Sequence, residues 1–136
     1  MTRLFVLLAA CGAARPAPAE DKPIDKTVQL NANGVLVHVE DAVVPGYVTI
    51  VDFWSTSCEA CTIVTGMIAV QIAKQPRVIV RKVDVGDGFS AVAKAYDIGT
   101  LPHVNVYDRK QRLRYRLIGP EALRAPTLAR ELLAEP

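Results

Sequence analysis

The chain has 136 residues, of which 51% are hydrophobic and 22% charged, the length and balance of one domain able to bury its own core. Its formal charge of +2 falls to neutral once Arg3 and Arg15 of the N-terminal segment are set aside, so there is no electrostatic case for binding nucleic acid. Arg109, Lys110, Arg112, Arg114 and Arg116 do cluster, but they alternate with Leu113, Tyr115 and Leu117, the pattern of a strand with one solvated face.

The chain opens with Met1-Thr2-Arg3 and the apolar run Leu4-Phe5-Val6-Leu7-Leu8-Ala9-Ala10. One positive charge before a short apolar run is the pattern of a secretory signal. The run is too short to span a bilayer, which takes roughly 20 apolar residues in a helix. Two endings fit. Leu8-Ala9-Ala10-Cys11 matches a bacterial lipobox, which would lipidate Cys11 and tether the protein to a membrane; Ala17-Pro18-Ala19 matches the small-x-small site of ordinary cleavage. Both predict export to the periplasm, with residues 1–19 as signal, 20–26 as linker and 27–136 as the folded domain. Three cysteines are present; with Cys11 in the signal, Cys58 and Cys61 remain. A pair that closes so small a loop makes a poor staple, so it points to thiol chemistry.

Along the folded part, Thr27–Leu30 and Val35–Val39 flank Asn31-Ala32-Asn33-Gly34, and Asn-Gly predicts a hairpin turn. Val48–Trp54 is β-branched and aromatic except for Asp52, a buried central strand. From Cys61 to Lys74 a helix is expected, with Ile63, Val64, Met67, Ile68, Ile72 and Ala73 as its apolar stripe and Gly66 marking a kink or a close contact. Arg77–Val85 reads as a second core strand, Gly86-Asp87-Gly88 as a turn, and Ser90 as the cap of a helix from Ala91 to about Tyr96. Val104–Tyr107 and Arg112–Ile118 are strands joined by a turn at Asp108–Gln111, and Thr127–Leu133 lies in a terminal helix. This order implies an α/β fold, a mixed sheet covered by helices on both faces.

The run Val51-Asp52-Phe53-Trp54-Ser55-Thr56-Ser57-Cys58-Glu59-Ala60-Cys61 resembles the thioredoxin family. Tyr96-Asp97-Ile98-Gly99-Thr100-Leu101-Pro102 is similar to the segment holding that family's cis-proline, and Ile118-Gly119 to the glycine ending its last strand. The resemblance covers roughly residues 27–134 and implies a thioredoxin fold. Three departures stand out: Ser57 where a tryptophan is usual, Glu59-Ala60 in place of Gly-Pro, and Gly66 where a kinking proline often stands. They bring the chain closer to the exported TlpA/ResA-type group, reductants serving cytochrome c maturation or metallocentre assembly.

The resemblance implies a protein-disulfide reductase acting on exported proteins through a dithiol/disulfide couple, with a membrane thiol as electron donor and no cofactor beyond the Cys58–Cys61 pair. A periplasmic oxidase or isomerase is the alternative. Cys58, just before a helix, would be the nucleophile because backbone N–H groups and the helix dipole favour its thiolate; Cys61, one turn on, would resolve the mixed disulfide. Asp52 would be a desolvated acid that takes the Cys61 proton, with Lys82 as its basic partner. Pro102 would be cis and lie against the cysteines. Trp54, Ser57, Glu59, Ala60, Thr100, Leu101, Ile118 and Gly119 would contact the substrate. His103 follows Pro102 and could tune the thiolate or merely stand by; His38 reads as plain surface. Two other readings compete: a copper or zinc carrier, for which two cysteines make an incomplete shell, and a redox-silent binding module using the groove at Pro102. No metal site is expected.

Overall fold

The β-branched run Val48–Trp54 becomes the middle of the molecule because both of its faces find apolar cover. In the computed structural model, which describes residues 23–136, the order is β1 (Thr27–Gln29), a 3-10 turn (Val39–Ala42), β2 (Val48–Trp54), α1 (Glu59–Ile72), β3 (Val78–Asp84), α2 (Ala91–Ala95), β4 (His103–Tyr107), β5 (Leu113–Ile118), a second 3-10 turn (Gly119–Arg124) and α3 (Ala125–Ala134). The proposed signal, Cys11 and the first part of the linker lie outside the described residues. Asp25 and Lys26, read as linker, already hold the sheet: Arg81 Nη1 donates to the Asp25 carbonyl at 3.0 Å, and the Val80 N–H to that of Lys26 at 2.7 Å.

The five strands run in the order β1-β3-β2-β4-β5. β1, β3 and β2 are parallel, β4 is antiparallel to β2, and β5 is antiparallel to β4. Because strand side chains alternate, β2 divides two cores. Val48 and Ile50 pack with Val64, Ile68 and Ile72 of α1 and with Leu128 and Leu132 of α3. Val51 and Phe53 pack on the other side with Val39, Val83, Val92 and Ile98. Asp52 falls on the α1 side, and His103, in register with Phe53, on the opposite one.

The hairpin expected at Asn33-Gly34 does not form. Residues 35–38 pair with no strand, and β1 pairs in parallel with β3 instead. The cause is tertiary. The Asn31 side chain receives the Asp84 N–H at 2.8 Å and donates to the Asp84 carbonyl at 2.9 Å, so an amide side chain takes the place of the next strand residue. Gly34, at φ +70°, is needed for contact: a Cβ there would lie 2.6 Å from that of Ser90.

The buried side of α1 is narrower than the sequence stripe. Cys61, Val64, Ile68 and Ile72 are buried, whereas Ile63 is 64% and Met67 42% exposed. A helix turns about 100° per residue, so these two fall to the flank, and Ile63 walls the groove described below. α1 runs unbroken through Gly66, where an added Cβ meets nothing within 4 Å, so the glycine marks no close contact.

Candidate active site

The strand-to-helix junction after Trp54 brings the two cysteines to one end of the sheet. Cys58 caps α1 and is half-buried; the Cys61 N–H donates to its Sγ at 3.1 Å. Helix N-termini have free N–H groups and a positive dipole end, so a thiolate at Cys58 is stabilised where it is reachable. Cys61 lies one turn on at 2% exposure, and the two sulfurs are joined as a disulfide.

Asp52 has no exposed surface. Thr65 Oγ1 donates to its Oδ2 at 2.6 Å, and its Oδ1 has no partner. Burial holds this carboxyl above the ordinary carboxylate range, against the smaller opposing pulls of the Thr65 bond and the Lys82 charge. Lys82 is the register partner of Asp52 on β3. Its ammonium sits 4.6 Å from the centre of the Trp54 ring, and no ion pair with Asp52 forms. Trp54 in turn donates Nε1 to Gln29 at 3.2 Å.

The Leu101–Pro102 peptide is cis, and the Pro102 carbonyl accepts the Gly119 N–H at 2.8 Å. Leu101, Pro102 and Gly119 wall an apolar recess of about 350 Å³ with Ala60, Ile63 and Leu123. Ser57, Cys58 and Leu101 border a second, more polar cleft of about 380 Å³ with Ser55 and Asp87. Glu59, Thr100 and Ile118 are exposed and wall neither. His103 is buried, with Nε2 3.1 Å from Asn105 Oδ1 and its ring edge-on to Phe53; burial pushes its imidazolium pKa down.

Sequence reasoning missed Thr65 and the apolar wall from Ile63 and Leu123. The signal for Thr65 was present: it stands four residues after Cys61, on the same helical face. Among the described residues, no group of three or more His, Cys, Asp or Glu gathers to hold a metal ion, and no helix is long and apolar enough to cross a membrane.

A two-cysteine helix cap, a buried acid bonded to the same helix and a cis-proline beside the cap define a redox protein whose working group is its own disulfide. The family model described as Thioredoxin matches residues 35–125. The chain belongs to the thioredoxin family. Among solved structures, thioredoxin O2 from Arabidopsis thaliana in its oxidized state is 16% identical with a TM-score of 0.64, covering 79% of this chain and 95% of its own. A mutant thioredoxin from Halobacterium salinarum is 18% identical at a TM-score of 0.63, covering 82% and 94%. The Schistosoma mansoni thioredoxin pre-protein is 19% identical at 0.62, covering 79% and 99%. At these identities the likeness is one of fold. No curated protein matches.

Proposed function

We propose that this chain is an exported thiol–disulfide oxidoreductase that reduces disulfides in other exported proteins. The observation that carries the reading is the asymmetry of the pair: a half-exposed Cys58 at a helix N-cap, a Cys61 buried one turn on, and an acid with a free oxygen on the same side of the sheet. In the reduced protein, the Cys58 thiolate attacks a substrate disulfide. A Cys58–substrate bond forms, and one substrate sulfur leaves with the electron pair and takes up a proton. Asp52 takes the Cys61 proton; the Cys61 thiolate then attacks Cys58, the mixed disulfide breaks, and the second substrate sulfur leaves with the electron pair and takes up a proton. Two substrate sulfurs are reduced and two cysteines oxidised. The apolar recess at Pro102 suits the backbone and apolar side chains flanking a substrate cysteine. The donor that re-reduces the pair is a membrane thiol, and the role is that of a TlpA/ResA-type reductant, as in cytochrome c maturation.

Cys61→Ser should accumulate a mixed disulfide with substrate through Cys58. Trapping through Cys61 in Cys58→Ser reverses the assignment. The couple should lie nearer thioredoxin, at roughly −270 mV, than the oxidant DsbA, at about −120 mV; a potential above about −180 mV makes the protein an oxidase or isomerase. Export rests on residues 1–19 and tethering on Cys11; mass spectrometry of the mature N-terminus separates a lipidated Cys11 from a free Glu20, and an intact Met1 removes both.

A further inference from the structure

Asp52 is a buried acid with two unlike oxygens. Oδ2 is held at 2.6 Å by Thr65 Oγ1, and Oδ1 is left without a partner. Thr65 stands on the face of α1 that carries Cys61, one turn further along. Thr65 and Cys61 also share the wall of a recess of about 300 Å³, whose other sides are Trp54, Thr62, Gly66 and Lys82. A glycine inside a helix costs roughly 0.5–1 kcal/mol against alanine. No neighbour demands one here, since a Cβ at Gly66 meets nothing within 4 Å. Its missing side chain leaves the recess wide beside Thr65 and Cys61.

We propose that Thr65 is a positioning residue for the resolving step: its hydroxyl fixes Oδ2 of Asp52, so that Oδ1 is the oxygen presented to the Cys61 thiol. The inference rests on the exchange chemistry proposed above. The groups that face the carboxyl are few. From α1 comes Thr65, with Cys61 one turn back on the same helix; from β3 comes Lys82, the charged group whose field acts on it; β4 places apolar Val104 opposite; and α3 turns Ala125, Leu128, Ala129 and Leu132 into the core on this side. A hydrogen bond donated to the charged form favours that form. Without it the carboxyl keeps its proton to higher pH and fails as an acceptor over a wider range.

The test follows the release of a preformed Cys58 mixed disulfide across pH 5–9 in the wild type, Thr65→Val and Thr65→Ser. Thr65→Val should move the midpoint of the profile up by about one pH unit, slowing release about tenfold below the midpoint. Thr65→Ser, which keeps the hydroxyl, should restore the wild-type midpoint. In an Asp52→Asn background, Thr65→Val should have no further effect on release, which separates positioning from a general loss of helix stability. A Thr65→Val profile that superimposes on the wild type, a Thr65→Ser profile that follows Thr65→Val, or an undiminished Thr65→Val effect with Asn at position 52 overturns the inference. If the wild type releases no substrate at all, the exchange reading itself falls.

Discussion

Asp52 and Asp108 are buried acids at opposite ends of the sheet, and their surroundings drive them in opposite directions. Asp52 pairs in register with Val104 near the start of β4, and Asp108 follows the strand's last residue, Tyr107. Neither is more than 3% exposed. Asp52 receives one hydrogen bond. Asp108 receives the backbone N–H groups of Lys110 and Arg112, together with the guanidinium groups of Arg112 at 2.7–2.8 Å and Arg114 at 3.3 Å. Burial pushes both carboxyls up. At Asp108 the donors more than reverse it, and the pKa falls to about 2; at Asp52 burial wins. Burial alone therefore does not set the state of an acid. The supply of donors decides whether it is fixed as a charge or left able to accept a proton.

The strongest way to break this comparison is to neutralise each acid. Asp52→Asn should slow release of the mixed disulfide at pH 7 by roughly 10²-fold, the lower end of what a positioned general base contributes, read by stopped-flow kinetics from pH 6 to 9. The same change should raise the melting temperature. An acid with a raised folded pKa loses stability as pH climbs from its unfolded value through its folded one, so the gain from Asn is present at neutral pH and vanishes below about pH 4. Unchanged kinetics over that range would remove Asp52 from the mechanism.

Asp108→Asn should do the reverse. An acid with a depressed folded pKa stabilises the fold above its unfolded value of 3.8, and that contribution is lost as pH falls toward about 2. Removing the charge should cost about 1–2 kcal/mol at pH 7, allowing for the screening of exposed Arg112, and the difference from wild type should shrink between pH 4 and pH 2 in denaturant titrations. Disulfide exchange should be unaffected. A variant as stable as the wild type at pH 7 would reduce the Asp108 network, which reaches Glu135 through Arg114, to surface decoration.

The two acids also differ in how legible they were. Asp52 could be read because it puts a charge between Val-Thr-Ile-Val and Phe-Trp, and such an interruption in a strand buried on both faces has few explanations. Asp108 opens Asp108-Arg109-Lys110-Gln111, and a turn accounts for all four residues. Its bonds to Arg112 and Arg114, four and six residues on, arise only once the turn folds back, and Arg114 reaches Glu135 21 residues away. The basic cluster thus reads as a solvated face, although two of its members answer a buried acid. The same limit explains the hairpin expected at Asn33-Gly34. Turn chemistry is local, whereas the Asn31 amide is taken by Asp84, 53 residues away, and Gly34 answers to Ser90. The cysteine pair was legible because its two members are near neighbours in the chain, and the cis-proline because the segment from Tyr96 to Pro102 resembles the family's.

Glu59 extends the series to an acid in water and carries the smallest expected effect. It is exposed, and it is the first residue of α1, immediately after Cys58. Its charge acts on the thiolate in two ways with the same sign: it repels the negative sulfur directly, and it offsets the positive end of the helix dipole that favours that sulfur. A less stabilised thiolate makes the reduced form less stable, the disulfide relatively more stable and the couple more reducing. Glu59→Gln should therefore shift the Cys58–Cys61 potential upward. Exposed charge interactions are worth roughly 0.2–1 kcal/mol. Since about 30 mV corresponds to 1.4 kcal/mol for a two-electron couple, the shift should be about 5–20 mV. It should also shrink as salt is raised from about 0.01 to 1 M, because screening acts on a solvated charge and hardly on a buried one. A downward shift would reverse the sign argument. An upward shift that salt leaves untouched would place Glu59 with the buried acids, in a field that water does not reach.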